Sequence, residues 1–172
     1  MGLLNTILQR RSVRKYTAEA ITDETLERTL QAGLLAPTGK NRKPCEFYVI
    51  KEKDILKELS EVKKAGGGFL ADCDVAIAVF GDSAKADTWT EDCSIAMAYM
   101  NLMAAEEGVG SCWCQIHLRS SSSGTDAEQE VRKILSVPET YRIVGILALG
   151  IAAKEPQAHV LSEADFSKVH RI

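Results

Sequence analysis

Eight of the chain's 21 lysines and arginines fall in two stretches that contain no Asp or Glu. Residues 1–18 carry Arg10, Arg11, Arg14 and Lys15, and residues 28–45 carry Arg28, Lys40, Arg42 and Lys43. Cations left without local acids, in a chain of formal net charge −3, suit an anionic ligand. Arginine forms planar two-point hydrogen bonds to phosphate, and Ser12 adds a hydroxyl donor among the arginines. From charge alone, a solvated basic face is the competing reading. The run Ala36-Pro37-Thr38-Gly39-Lys40-Asn41-Arg42-Lys43-Pro44 stiffens a loop with two prolines and a glycine. Within it Asn41 offers donor and acceptor, and Lys43 a cation. Such loops often hold ligands, although a purely structural turn would look the same.

Other chemistries lack their residues. Gly39-Lys40 has neither the earlier glycine nor the following hydroxyl of a P-loop, and no G-x-G-x-x-G follows a strand. There is no G-x-S-x-G elbow. His117 reads as a satisfied group at a strand end before it reads as a base. The cysteines are Cys45, Cys73, Cys93, Cys112 and Cys114, with no C-x-x-C. Free thiols in a reducing cytoplasm are expected, with Cys112 and Cys114 as small core residues on either side of Trp113. His117, His159 and His170 show no ligand spacing, so no metal is expected. The acidic balance and the absence of an RNP or helix-turn-helix pattern argue against nucleic acid, although Arg10 to Tyr16 mixes bases with an aromatic.

The elements that must position these residues follow from pattern. A chain of 172 residues, 45% apolar and 26% charged, suits one domain with an ordinary core. No apolar run nears the ~20 residues that span a bilayer. Residues 1–6 formally fit an acylation pattern but read as the start of an amphipathic helix. Thr22, with Asp23 and Glu24 after it, caps a second helix whose Leu26, Leu30 and Leu34 share a face; Pro37 follows its end. Strands are expected at 46–50, 74–80, 111–116 and 141–149, and helices at 53–64, from 88 and from 126. Thr88-x-x-Glu91 reads as a capping box. The helix it opens is apolar around most of its circumference, so burial in a core or between subunits is expected. About four strands among five helices make an α/β or α+β fold. A second subunit would complete the burial of the helix near residue 95.

Four segments, in order, resemble the nitroreductase family. Arg10-Arg11-Ser12-Val13-Arg14-Lys15-Tyr16 is similar to its R-R-S-x-R-x-[FY] opening, and Ala36-Pro37-Thr38-Gly39-x-Asn41-x-x-Pro44 to its A-P-S-[GS]-x-N-x-Q-P-W segment. Residues 92–113, ending Gly108-Val109-Gly110-Ser111-Cys112-Trp113, resemble its central helix and following turn. Leu147-Ala148-Leu149-Gly150 and Glu155-Pro156 resemble its last strand and tail. The resemblance implies one α+β domain over 1–172: a three-layer fold, mostly antiparallel sheet flanked by helices, with a buried central helix at a homodimer interface. It implies two FMN molecules between subunits and an enzyme that passes two electrons from NADH or NADPH, through flavin N5, to nitroaromatic or quinone acceptors by a ping-pong mechanism. The cofactor would carry the hard step, without a catalytic side chain.

By the same resemblance, Arg10 and Arg11 approach the FMN phosphate and ribityl chain, and Ser12 donates to the flavin or its chain. Arg14 lies near the N1/C2 edge. Pro37, Thr38, Gly39 and Asn41 reach the other subunit's flavin, while Trp113, Cys114 and Gln115 pass it with their backbone near N5. Two departures stand out. Lys43-Pro44-Cys45 replaces Gln-Pro-Trp, and His159 stands for the basic residue after E-x-P. The alternative function is a non-catalytic flavin-binding or redox-sensing protein.

Overall fold

The computed structural model describes residues 2–172, so the first residue of the acylation pattern lies outside the described residues. The two most apolar runs of the sequence become the middle of one sheet. From edge to edge it runs β1 (Cys45–Ile50), β2 (Val75–Asp82), β4 (Tyr141–Gly150) and β3 (Gly110–Gln115). Every neighbouring pair is antiparallel. Five helices interleave with the strands: α1 (Leu3–Gln9), α2 (Asp23–Leu34), α3 (Lys53–Glu61), α4 (Trp89–Glu106) and α5 (Ala127–Leu135). The order matches the sequence reading, and the class is α+β.

Side-chain alternation on the central strands builds two cores. Ala76, Ala78 and Phe80 pack with Leu56 and Leu59 of α3 and Val131 of α5. Val75, Ile77 and Val79 pack with Leu26 of α2 and with Met97 and Met100 of α4 on the opposite face. The result is three layers, with each fully buried large side chain contributing roughly 1.5–3 kcal/mol. A bulge in the β2–β4 register falls at Val79/Phe80. There the Val144 carbonyl accepts from both the Ile116 and His117 amides, at 3.1 and 3.0 Å. This turns the chain after β3 toward α5.

Local signals place most ends. The Thr22 hydroxyl accepts from the Thr25 amide at 3.2 Å, and the Asp126 carboxylate from the Glu128 amide at 2.9 Å. Gly108, with φ of 74°, takes the left-handed conformation that ends α4. Two expectations fail locally. Thr88 flanks α4, but its hydroxyl does not cap the helix; it donates to Asp92 Oδ2 at 3.1 Å. Leu34 points to solvent, because α2 rests on α4 through Leu26 and Leu30. The tail forms only short 3₁₀ turns at Leu161–Glu163 and Phe166–Lys168. Helix α4 buries Met97 and Met100 but leaves Ile95 and Tyr99 exposed, and this uncovered side is the one for which the sequence reading expects a second subunit. No described helix is long and apolar enough to cross a membrane.

Candidate functional site

After α1 the chain runs beside edge strand β3. The Val13 amide donates to the Ser111 carbonyl at 2.9 Å, and Ser12 forms a parallel bridge with Ser111. This pairing brings the first arginine stretch to the end of the sheet. Burial raises the Cys112 thiol above its ordinary range, while Arg14, the Ser12 hydroxyl and Arg10 nearby pull the other way. Among the described residues, neither the Arg10 nor the Arg14 guanidinium enters an ion pair or hydrogen bond. Arg11 donates to the Gln157 carbonyl at 2.8 Å, and the His159 amide donates to Leu8 O at 2.8 Å. The tail therefore folds back over the end of α1. Between them lies a groove of about 450 Å³ whose lining includes Arg10, Arg11, Val109, Ser111, Ile151 and Pro156. Its size is ordinary for a small-molecule site. Glu155 is its one acidic lining residue against two arginines.

Strand β3 carries a polar ladder away from this groove. Trp113 Nε1 donates to Gln115 Oε1 at 2.9 Å, and Gln115 Nε2 to the His117 carbonyl at 3.1 Å. Lys63, beyond the end of α3, donates to the Gln115 carbonyl at 3.3 Å. Burial raises the Cys114 thiol, and Lys63 opposes that rise. At the foot of the ladder, buried Glu128 accepts from His117 Nδ1 at 2.6 Å and from Arg142 at 2.8 and 3.1 Å. Burial would raise the Glu128 carboxyl, yet the hydrogen bonds from Arg142 and His117 hold it below the usual carboxylate range. Trp89 meets the His117 ring edge-on at 5.1 Å and has Arg142 over its face at 5.6 Å. His117 is thus a satisfied structural group.

Lys40, Arg42 and Lys43 of the second cationic stretch lie in the loop before β1, while Arg28 sits in α2 and pairs with Glu24 and Glu107. Lys40, Asn41 and Lys43 all have positive φ, at 52°, 54° and 47°. Each such residue costs about 1–2 kcal/mol, so the loop persists only because its surroundings over-determine it. Thr38 Oγ1 accepts from the Lys43 amide at 3.0 Å, and Asp92 Oδ1 accepts from the Gly39 amide at 2.8 Å. A Cβ at Gly39 would overlap the Thr88 hydroxyl, so only glycine fits under this clamp. Lys85 donates to the Lys43 carbonyl at 3.1 Å, and Arg42 to the Lys85 carbonyl at 3.2 Å. The Lys40, Asn41 and Lys43 side chains are left exposed.

These two clusters sit at opposite edges of the sheet, one beside β3 and the other before β1. Three strand spacings separate the edges, roughly 14 Å. The profile of the nitroreductase family matches residues 7–67 and 61–151.

The chain belongs to the nitroreductase family.

Solved and curated relatives agree over nearly its whole length. A structure described as an FMN-dependent nitroreductase from Clostridium difficile R20291 is 38% identical, with a TM-score of 0.95 and 98% of each chain covered. A structure described as a nitroreductase in complex with FMN, from Desulfovibrio desulfuricans, is 25% identical, with a TM-score of 0.76 and 99% of each chain covered. An Archaeoglobus fulgidus protein named as an NADH dehydrogenase/NAD(P)H nitroreductase is 32% identical over 156 residues, 88% of this chain and 86% of its own.

Within this nitroreductase-family chain, the structure gathers Arg10, Arg11, Ser12 and Arg14 around one end of β3, places His159 against the end of α1, and strings Trp113, Cys114 and Gln115 along β3. Pro37, Thr38, Gly39, Asn41 and Lys43 lie at the far edge and do not join them within one copy. His159 is engaged by Glu163 at 2.6 Å, a contact that holds the Glu163 carboxyl below its usual range. Three contributors escape a reading of the sequence. Asp92 stands beside Glu91 in the first turn of α4, and only the structure shows that it is the buried one of the two. Glu128 and Lys63 carried no signal, because their partners are distant in sequence.

Proposed function

We propose that the chain is an FMN-dependent oxidoreductase that takes electrons from NADH or NADPH and passes two of them to a nitroaromatic or quinone acceptor in ping-pong fashion. It works as a homodimer, with residues 1–172 as one FMN-binding domain. The observation that carries this reading is the unpartnered Arg10 guanidinium, beside Arg11, in the lining of a groove of about 450 Å³, with the unpartnered Arg14 close by near Cys112. That donor set fits a phosphate and a ring that gains negative charge. When bound, FMN supplies the hydride chemistry at its N5. The residues of the chain then have defined tasks. Arg10 and Arg11 hold the phosphate and ribityl chain, with the Ser12 hydroxyl as a further donor. Arg14 offsets charge at the N1/C2 edge. His159, kept near Arg11 by the tail, adds a cation when protonated. The backbone of Trp113, Cys114 and Gln115 flanks the ring.

The sheet-wide gap between the two clusters supports the dimer. A second copy can bring the Pro37, Thr38, Gly39, Asn41 and Lys43 loop of one chain to the β3 side of the other. The apolar side chains that α1 and α4 leave in water, Leu3, Leu4, Ile7, Ile95 and Tyr99, are the natural surface for it. Five free thiols suit a reducing cytoplasm. The test combines an absorption spectrum, light scattering after gel filtration, and NADH or NADPH oxidation with an added quinone or nitro compound. A yellow dimer that turns over supports the reading. A yellow protein without turnover points to a flavin carrier, and a colourless monomer in excess FMN ends the case.

A further inference from the structure

We propose that Cys45 and Cys93 are a thiol pair that a hydroperoxide closes to a reversible disulfide beneath the loop at 37–43. Cys45 opens β1 and Cys93 lies in the first turns of α4. The Cys93 thiol donates to Cys45 Sγ across 3.5 Å, so the sulfurs already touch. Gly81 makes that contact possible. It faces Cys45 in the β1–β2 register, and a Cβ there would come within 2.8 Å of Cys93 Sγ. The helix thiol occupies the space that this missing side chain leaves. The remaining thiols each donate to a backbone carbonyl: Cys73 to Leu70, Cys112 to Trp113 and Cys114 to Gly66. Among the described residues, only Cys45 and Cys93 pair sulfur with sulfur.

The two thiols are unequal in ways that divide the labour. Cys45 is partly exposed and Cys93 fully buried. The hydrogen bond from Cys93 holds the Cys45 thiol below its ordinary range, whereas the same bond and burial push Cys93 far above it. Cys45 is therefore the attacking thiolate and Cys93 the resolving thiol. The Cys45 sulfur attacks one peroxide oxygen; an S–O bond forms, the O–O bond breaks, and the departing hydroxide or alkoxide takes up a proton. The sulfur is oxidised by two electrons and the peroxide is reduced by two. The Cys93 sulfur then attacks Cys45; the S–S bond forms, the S–O bond breaks, and the Cys93 proton leaves with the hydroxide as water. The net change is two thiols and one hydroperoxide to one disulfide, one alcohol or water, and one water. Neither sulfur lines the arginine groove, so the proposal stands apart from the cofactor assignment. Its product would join β1 to α4 between Pro44, where the loop ends, and Asp92, which clamps Gly39.

The protein as purified, reduced and desalted, is treated with a modest excess of hydrogen peroxide, denatured, alkylated with N-ethylmaleimide and weighed intact. The expected result is a fall from five adducts to three, a cross-linked Cys45–Cys93 peptide, and return to five after dithiothreitol. Cys93→Ser should give no cross-link and instead one dimedone adduct on Cys45. Five adducts after peroxide, a bridge between other cysteines, or dimedone labelling of Cys93→Ser at a site other than Cys45 would overturn the proposal. Because the dimedone test reads Cys45 chemistry in a serine variant that keeps the size of the side chain, it holds even if disulfide closure distorts the fold.

Discussion

Around Glu128 every charge is answered. The carboxylate is buried and takes hydrogen bonds from His117 and from two nitrogens of Arg142, while Trp89 packs against both partners. Arg10 and Arg14 pair with no carboxylate, even with Glu155 in the groove lining, although the chain carries 24 Asp and Glu to its 21 Lys and Arg. The two regions use the same residue types. One uses its charges to hold the end of β3, β4 and α5 together, and the other leaves its guanidinium groups unpaired. The contrast is between a paired carboxylate inside the fold and two unpaired guanidinium groups at its edge.

Breaking the paired region should have the largest effect on stability. Glu128→Ala strands Arg142 and His117 and should remove about 3 kcal/mol, read as a lower urea midpoint. A loss below ~0.5 kcal/mol, the usual range for surface changes, would show that the cluster is decoration. Breaking the open region should do the opposite. Arg10→Ala should leave the urea midpoint within ~0.5 kcal/mol of wild type and weaken FMN binding by about 1.5–3 kcal/mol, roughly ten- to a hundredfold, in a flavin-fluorescence titration. If Arg10→Ala instead unfolds the protein and spares FMN, the contrast is wrong. Arg14→Ala sharpens it, since loss of a cation beside the ring should weaken reduced FMN more than oxidised FMN. The midpoint potential should then fall, and an unchanged or higher value would remove Arg14 from that role.

Smaller effects test the loop and the pH dependence. Asp92→Asn replaces a charged acceptor for the Gly39 amide with a neutral one and should cost about 1 kcal/mol, with faster hydrogen exchange at Gly39. The carboxyl of Glu128 is depressed in the folded state relative to an unfolded value near 4.3. Its stabilisation is therefore complete above about pH 4.3 and is lost as pH falls through the folded value. The stability gap between wild type and Glu128→Gln should narrow on acidification through that window. A gap that widens there would mean that the sign of the coupling is reversed.

How much was legible in the sequence varies by element. The strand expected at 74–80 was plain, because continuous Val, Ile, Ala and Phe have few other uses at that length. Thr22 was plain as a cap, because capping needs only the next three residues. Thr88 was misread because its hydroxyl serves Asp92, and Asp92 serves a glycine 53 positions away. Leu34 kept the helical spacing of a core residue, but in its turn of α2 it is Gly33 that faces Met100 of α4, which leaves Leu34 in solvent.

The order and type of the elements follow from hydrophobic period, capping and glycine placement, which act over a few residues and so can be read from the chain alone. Which cations stay open, which thiols touch, and that the two cationic stretches lie at opposite edges of the sheet depend on the β1-β2-β4-β3 pairing. Those facts belong to contacts between residues tens of positions apart. Pairing of that kind is set by how the whole core packs, and no local pattern encodes it.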